Sequence, residues 1–258
     1  MLGTMPAEAW TVLTWNVLGA RGLDVARVAA VILRAEPDVV VLQEVRRSQA
    51  RRLAAALDMR SEWRFKHVSL LSWPEGAAVL TRHRFTAVRR LVLRRSLLLT
   101  WMRRIAVVAT VQRPGASQTF ANVHLSPHDL AHSRRTEARR LVAHVPGAVI
   151  AGDLNGQPGH RGPADIVAAG WTDAWAARHT ADPTGGATNW TPGARTGRPP
   201  TQRLDYVMVP PGWRAQHAEV LAAPAEFDWF AALSDHLPVV ATIEPAAPSP
   251  ATSPSGGA

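Results

Sequence analysis

The pattern of hydrophobic and polar positions predicts alternating strands and helices in the first part of the chain. Trp10 to Val17 is β-rich and alternating, which predicts a strand whose polar end is Asn16. From Val25 to Leu33 the apolar residues recur at helical spacing, and Pro37 ends the predicted helix. The continuous apolar run Val39 to Leu42 indicates a strand that is buried on both faces.

Later segments favour many short strands with few helices between them. We predict a helix at Ser48 to Leu57 and a second one at Asp129 to His144. Between these helices an antiparallel meander of five strands is predicted, at Trp63 to Leu71, Ala77 to Thr81, Ala87 to Leu93, Ile105 to Gln112 and Gln118 to Leu125. Further on, the pattern predicts strands at Ala148 to Ala151, Leu204 to Val209, Ala215 to Leu221 and Val239 to Ile243, and a short helix at Pro163 to Ala169.

Length and composition suggest one folded domain followed by a tail. The chain has 258 residues, of which 47% are hydrophobic, so it can bury a full core. We predict a domain over residues 1–244 and a disordered tail over residues 245–258, which are rich in Pro, Ala and Ser. The first ten residues lack a signal-peptide pattern, and the apolar run at Leu97 to Leu99 is too short to cross a bilayer. The expectation is a cytoplasmic monomer that does not insert into membranes.

The charge of the chain is compatible with a polyanionic partner. Its net charge is +9, and Lys66 is the only lysine among its 29 basic residues. Cationic surfaces attract phosphates, but a GC-rich coding bias explains the arginines equally well. The absence of cysteine excludes disulfides, zinc–thiolate sites and cysteine nucleophiles.

Polar side chains occur repeatedly where predicted strands end. Asp205 is the most informative one, because an acid inside an apolar strand needs a partner, and a histidine N–H is the natural choice. Each of the others has a structural alternative as a turn residue, a surface residue or a core histidine. The positions are Asn16, Glu44, His124, Asp153 with Asn155, Asp205, and Asp235 with His236.

These positions lie in six motifs that resemble, in order, those of the endonuclease/exonuclease/phosphatase superfamily with its deoxyribonuclease-I-like fold. The motifs are Thr14-Trp15-Asn16, Gln43-Glu44, Asn122-Val123-His124-Leu125, Gly152-Asp153-Leu154-Asn155, Arg203-Leu204-Asp205-Tyr206-Val207 and Ser234-Asp235-His236-Leu237-Pro238-Val239. The similarity extends from about Val12 to Ile243. It implies an α/β fold, a four-layer α/β sandwich in which two mixed β-sheets pack face to face with helices on the outside.

The resemblance implies metal-dependent hydrolysis of phosphoesters. Mg²⁺ prefers carboxylate and water oxygens, and Mn²⁺ is a substitute. By resemblance Glu44 is the principal metal ligand, while Asn16 and Asp235 complete or support the site.

The remaining motif residues are implied to be catalytic. Asp205 would orient His236, as the aspartate of a hydrolytic triad does. Either His236 or Asp153 takes the proton of the attacking water, and the sequence leaves this choice open. Asn155 and His124 would donate hydrogen bonds to non-bridging phosphate oxygens.

The substrate is a phosphoester, and nucleic acid is our first choice. Glu44-Val45-Arg46 resembles a stretch of the nuclease branch in which the arginine enters the DNA minor groove, so Arg46 is a candidate substrate-binding residue. As an alternative, Arg46 is an ordinary surface arginine. The absence of cysteine argues against the inositol-polyphosphate phosphatase branch. A phosphatase or phospholipid phosphodiesterase acting through the same site remains the alternative function, and a non-catalytic binding module is a third.

Overall fold

The computed structural model describes residues 8–68, 74–95, 103–127, 130–190 and 198–247. Most of the predicted tail, residues 248–258, lies outside the described residues, as does the end of the strand predicted at Trp63 to Leu71. The division into a domain and a tail therefore stays a prediction.

In the part of the chain that the structure describes, twelve strands form two six-stranded sheets. The first sheet has the order β11-β12-β1-β2-β4-β3, with strands at Trp213–Val220, Val239–Pro245, Trp10–Asn16, Val39–Val45, Pro74–Thr81 and Arg60–Val68. The second sheet has the order β5-β6-β7-β8-β10-β9, with strands at Arg84–Arg94, Arg104–Arg113, Ala116–His124, Val149–Asp153, Asp205–Val209 and Thr172–Asp173. Both sheets are mixed, because β1 pairs with β2 and β7 with β8 in parallel while the other neighbours are antiparallel.

Six helices are described. Their bounds are Val25–Arg34 (α1), Arg47–Ala56 (α2), Ala131–His144 (α3), Pro163–Ala168 (α4), Ala174–Arg178 (α5) and Phe227–Ala231 (α6). The side chain of Asp24 accepts a hydrogen bond from the Arg27 N–H at 3.1 Å and so caps the start of α1. The sequence pattern did not predict β9, α5 or α6, which are all five residues long or shorter.

Alternate residues of each buried strand pack into different layers, which confirms the predicted four-layer sandwich. In β2, Val39 and Val41 belong to the core between the two sheets, whereas Val40 and Leu42 belong to a second core under α1 and α2. A third core joins the outer face of the second sheet to α3 and α4. Because successive side chains of a strand point to opposite faces, a continuous apolar run fills both cores.

The prediction of a five-strand meander was wrong. β3 and β4 pair with each other in the first sheet, whereas β5, β6 and β7 form a meander in the second sheet. The chain changes sheet in the short connection Arg82-His83. Short strands with similar alternation carry no local signal of such a change, because both sheets offer the same half-buried surface.

No helix in the described ranges is long and apolar enough to cross a membrane.

Candidate active site

The strand pairing brings the predicted site residues to one end of the sandwich. Asn16 lies beside Gln43 at the ends of the parallel strands β1 and β2, and His124 lies beside Asp153 at the ends of β7 and β8. Asp205 faces Asp153 across the β8–β10 pair. A cavity of about 470 Å³, which we call the site cavity, opens here. Its lining includes seven of the predicted residues: Asn16, Glu44, His124, Asp153, Asn155, Asp235 and His236.

Asp205 lies behind the cavity and holds His236. Its Oδ2 is 2.7 Å from Nδ1 of His236, and both residues are buried. Burial by itself lowers the pKa of His236, but the adjacent carboxylates of Asp205 and Asp153 and the hydrogen bond to Asp205 raise that pKa to about 10. The raised pKa favours the imidazolium form of His236 at neutral pH, and its Nε2 faces Asp153.

Three nitrogen-bearing groups converge on a single oxygen, Oδ2 of Asp153. Asn16 donates to it from Nδ2 at 3.2 Å, Nε2 of His124 lies 3.6 Å away, and Nε2 of His236 lies 3.7 Å away. The other oxygen, Oδ1, accepts the backbone N–H of Asn155 at 2.9 Å. Burial raises the pKa of Asp153 to about 7, despite the opposing effect of His236.

The tight turn after β8 fixes Asp153 in this place. Gly152 has φ of +148°, and a Cβ built there would lie 1.9 Å from the backbone oxygen of Val123. Asn155 has φ of +51° and donates from Nδ2 to the Leu125 backbone oxygen at 3.0 Å. The amide of Asn155 therefore joins the β8 turn to the end of β7, and one of its N–H groups is already engaged.

Asn16 links the two carboxylates that face each other across the site. Its Nδ2 also donates to Oε1 of Glu44 at 3.3 Å, while its Oδ1 accepts the Leu18 N–H at 3.2 Å. Burial, followed by the charge of Glu75, raises the pKa of Glu44. In this arrangement Asn16 acts as a hydrogen-bond bridge, and ligation of a metal would require its Oδ1 instead.

His124 is oriented by a lysine. Its Nδ1 is 3.1 Å from Nζ of Lys66. Burial, and then the Lys66 charge, lower the pKa of His124 well below its usual value, so the ring is neutral. Burial lowers the pKa of Lys66, and its ion pair with Glu75 opposes that effect. In the ion pair the ammonium of Lys66 can only donate, so Nδ1 accepts and the ring hydrogen sits on Nε2, directed at Asp153.

Asp235 and Arg46 lie at the edge of this arrangement. Asp235 is half-buried and lines the site cavity, next to His236 in sequence. Arg46 does not line the cavity. It precedes α2 and donates from Nη2 to the backbone oxygen of Ala20 at 3.0 Å. The roles of Asp235 as a metal ligand and of Arg46 as a substrate-binding residue stay predictions.

Four further ionisable residues line the site cavity and were missed by the sequence analysis. They are Lys66, His67, Glu75 and Arg104. In the sequence Lys66 stands out only as the sole lysine, and Glu75 lies between two of the predicted strands. The one signal available was the isolated Lys66 within a β-like segment, because a buried ammonium needs partners.

The donor set fits a hard divalent cation. Ligand atoms of Asp153, Asp205 and His236 lie within 4.8 Å of one another, and the two carboxylates of this group could hold a metal, since an imidazolium His236 has no free lone pair. Oδ1 of Asp205 is buried and has no hydrogen-bond partner among the described residues. Glu44 adds a carboxylate that accepts a hydrogen bond from Asn16, and the chain has no cysteine that could offer a thiolate. Oxygen-rich sets of this kind suit Mg²⁺ or Mn²⁺.

Sequence comparison identifies the class of protein. The sequence model of the endonuclease/exonuclease/phosphatase family matches residues 13–236. The chain belongs to this family, whose members are phosphoester hydrolases. A comparison with curated proteins gives no match.

Solved structures have the same fold. A family member from Beutenbergia cavernae is 27% identical with a TM-score of 0.73, and the similarity covers 92% of this chain and 72% of that one. The catalytic domain of human Nocturnin with a bound sulfate anion is 19% identical with a TM-score of 0.71, covering 92% and 95% of the two chains. A mannosyl-6-phosphatase from Bacteroides thetaiotaomicron is 18% identical with a TM-score of 0.68, covering 91% and 99%.

Proposed function

We propose that the protein is a Mg²⁺-dependent phosphodiesterase that cleaves nucleic acid, with the scissile phosphate bound in the site cavity. The observation that carries the proposal is the convergence of Asn16, His124 and His236 on one oxygen of Asp153. Fixed donors around one acidic group, next to an oxygen-rich ligand set, are what phosphoryl transfer to water requires. The cytoplasmic location and the monomeric state stay predictions.

The protein's own groups have separate tasks in this proposal. Asp153 has a pKa of about 7, so at neutral pH a large fraction of its carboxyl groups is ionised and can take a proton from water. His236 is held as an imidazolium by Asp205 and would stabilise negative charge that develops on the phosphate. We therefore assign the base to Asp153 and the electrostatic role to His236.

The remaining donors would bind the non-bridging oxygens of the phosphate. His124 presents its Nε2–H, and the second N–H of the Asn155 amide is not used by Leu125. When bound, Mg²⁺ would supply polarisation of a phosphoryl oxygen. We expect Glu44 to be its principal ligand, with Asp235 and Asn16 in support.

Charge supports nucleic acid as the substrate. The net charge of +9 attracts a polyanion over the range of a Debye length. Arg46 lies two residues after Glu44 and would reach the substrate backbone outside the cavity. A phosphatase acting on small phosphomonoesters is the alternative.

A substrate panel tests the proposal. Supercoiled plasmid, linear DNA, RNA, sphingomyelin and small phosphomonoesters are incubated with Mg²⁺, Mn²⁺ or Ca²⁺. The proposal predicts cleavage of nucleic acid that stops with EDTA and falls steeply as salt rises. Turnover of phosphomonoesters or sphingomyelin without nucleic acid cleavage would select the alternative function.

A further inference from the structure

Lys66, Glu75 and Arg104 form a charged cluster in the site cavity, on the side away from Asp205. Lys66 lies on β3, Glu75 on β4 and Arg104 at the start of β6, so both sheets contribute. All three side chains belong to residues that are more than 90% buried. Buried charges are costly unless they are paired or serve a ligand.

The cluster carries more positive than negative charge. Lys66 and Glu75 pair at 3.1 Å between Nζ and Oε1, and Arg104 adds a second cation. His67 lies beside them and is neutral at pH 7, because burial lowers its pKa to about 4. Glu44, Asp153 and Asp235 form the acidic side of the same cavity, together with the imidazolium of His236. Glu44 also interacts with the charges of Lys66 and Glu75, so the acidic side of the cavity adjoins the cluster, whose two cations are Lys66 and Arg104.

Lys66 and His67 have hydrogen-bonding capacity that is not used among the described residues. The ammonium of Lys66 has three donors, and two acceptors are described for it: Glu75 Oε1 and His124 Nδ1, both at 3.1 Å. Nδ1 of His67 is buried and has no hydrogen-bond partner among the described residues. A ligand in the cavity would supply the missing partners.

The imidazole ring of His124 lies between the cluster and the carboxylate of Asp153. His124 contacts Lys66 through Nδ1 at 3.1 Å, and its Nε2 lies 3.6 Å from Oδ2 of Asp153. The His124 ring thus separates the cluster from the place where the scissile phosphate would bind. A second anionic group held at Lys66 must belong to the same small segment of substrate.

We propose that Lys66, Arg104 and His67 form a subsite for a non-scissile phosphate of the substrate, next to the scissile one. The inference rests on the proposed function, because it places the scissile phosphate at Asp153. A strand of nucleic acid has consecutive phosphates and meets this requirement, whereas a phosphodiester with a single phosphate does not. The subsite would make the enzyme prefer a substrate with a further phosphate.

The test compares three dinucleotides with Mg²⁺: dTpdT, its 5′-phosphorylated form and its 3′-phosphorylated form. We expect wild type to hydrolyse one phosphorylated form with a kcat/KM about tenfold to a hundredfold above that of dTpdT, the range for one charge-assisted hydrogen bond. The double variant Lys66→Met/Glu75→Met removes the buried pair together, which keeps the fold better than removal of one partner. This variant and Arg104→Met should each bring the ratio close to one.

Arg60→Met is the matched control. Arg60 is exposed on the same strand β3, six residues before Lys66 and about 20 Å away. The substitution Arg60→Met removes one positive charge outside the cavity, so the wild-type ratio of kcat/KM between phosphorylated and unphosphorylated dinucleotide should persist. Circular dichroism checks that each variant is folded, and Arg104→Met alone carries the test if the double variant is not.

A binding measurement separates this inference from the proposed function. Calorimetry without metal compares thymidine 3′,5′-bisphosphate with both thymidine monophosphates, in wild type and in the variants. If wild type hydrolyses no dinucleotide, the proposed function fails while the ratio of dissociation constants still tests the subsite. The inference is overturned if wild type shows no preference for the additional phosphate, or if the variants keep the wild-type ratio, whatever activity they lose on all three dinucleotides because His124 is less well oriented.

Discussion

The amide of Asn122 joins the two sheets directly beneath the site, and its removal should destabilise the fold. Asn122 lies on β7 in the second sheet and is completely buried. Its Nδ2 donates to the backbone oxygens of Leu42 at 2.9 Å and Ala78 at 2.8 Å, both in the first sheet. Its Oδ1 accepts from Nε2 of Gln43 at 2.8 Å. The two carbonyls lie where the β2–β4 pairing becomes irregular.

We predict that Asn122→Leu lowers the free energy of unfolding by about 4 to 5 kcal/mol. The estimate assigns about 1 kcal/mol to each of the three hydrogen bonds, and a further 1 to 2 kcal/mol to partners that are left buried and unsatisfied. Leucine has a similar volume, so the loss is not that of a large cavity. A domain is stable by only about 5 to 15 kcal/mol, so the effect is large.

Urea unfolding followed by tryptophan fluorescence and far-UV circular dichroism measures this change. The control is Gln118→Leu on the same strand, which removes a single hydrogen bond from Nε2 to the Gly147 oxygen at 3.1 Å and should cost about 1 kcal/mol. A loss below about 1 kcal/mol for Asn122→Leu, with an unchanged slope, would refute the role of Asn122 as the link between the sheets.

Three further predictions concern the site. Asp205→Asn should lower kcat by about 10² to 10⁴ with little change in KM, because His236 loses its orienting anion; steady-state kinetics measures this, and an unchanged kcat would contradict it. Gly152→Ala should destabilise the fold by about 1 to 3 kcal/mol in thermal unfolding, since its Cβ would meet the Val123 oxygen; an unchanged melting temperature would remove the steric argument. Burial lowers the pKa of His67 to about 4. Between pH 6.5 and 4 the unfolded chain therefore binds more protons than the folded one, and the free energy of unfolding should fall as the pH is lowered. His67→Phe should weaken this pH dependence in urea unfolding at several pH values, and an unchanged pH dependence would argue against a neutral His67.

Much of the fold was predictable because strand ends and periodicity are local properties. The run Val39 to Leu42 indicated burial on both faces, and the structure places its alternate residues in two different cores. An acid in the apolar strand at Asp205 required a partner, and His236 lies 2.7 Å from it. A short stretch of local sequence was sufficient in the first case, and the chemistry of one residue in the second.

The cluster at Lys66 was not predictable, because it depends on an irregular strand. The β3–β4 pairing shifts register between Phe65 and His67. In a regular strand consecutive side chains point to opposite faces, so Lys66 and His67 would not both line one cavity. A bulge of this kind cannot be predicted from the alternation of apolar and polar residues. The place of Glu75 depends on the same pairing.

The change of sheet after β4 is another property that local patterns do not contain. β4 and β5 have similar strand-like composition, yet they pair with different partners. β4 pairs with β2 and β3, whereas β5 pairs with β6. This choice of partner strand is decided by long-range packing.

Hydrolysis of bis(p-nitrophenyl) phosphate by wild type and by Asp153→Asn tests the central claim most directly. We predict that wild type hydrolyses this substrate with Mg²⁺, that EDTA abolishes the hydrolysis, and that added Mg²⁺ restores it. We also predict a rate at least about a hundredfold lower for Asp153→Asn, with the unfolding midpoint retained. A variant with near-wild-type turnover in the presence of Mg²⁺ would contradict the claim that the chemistry is centred on Asp153.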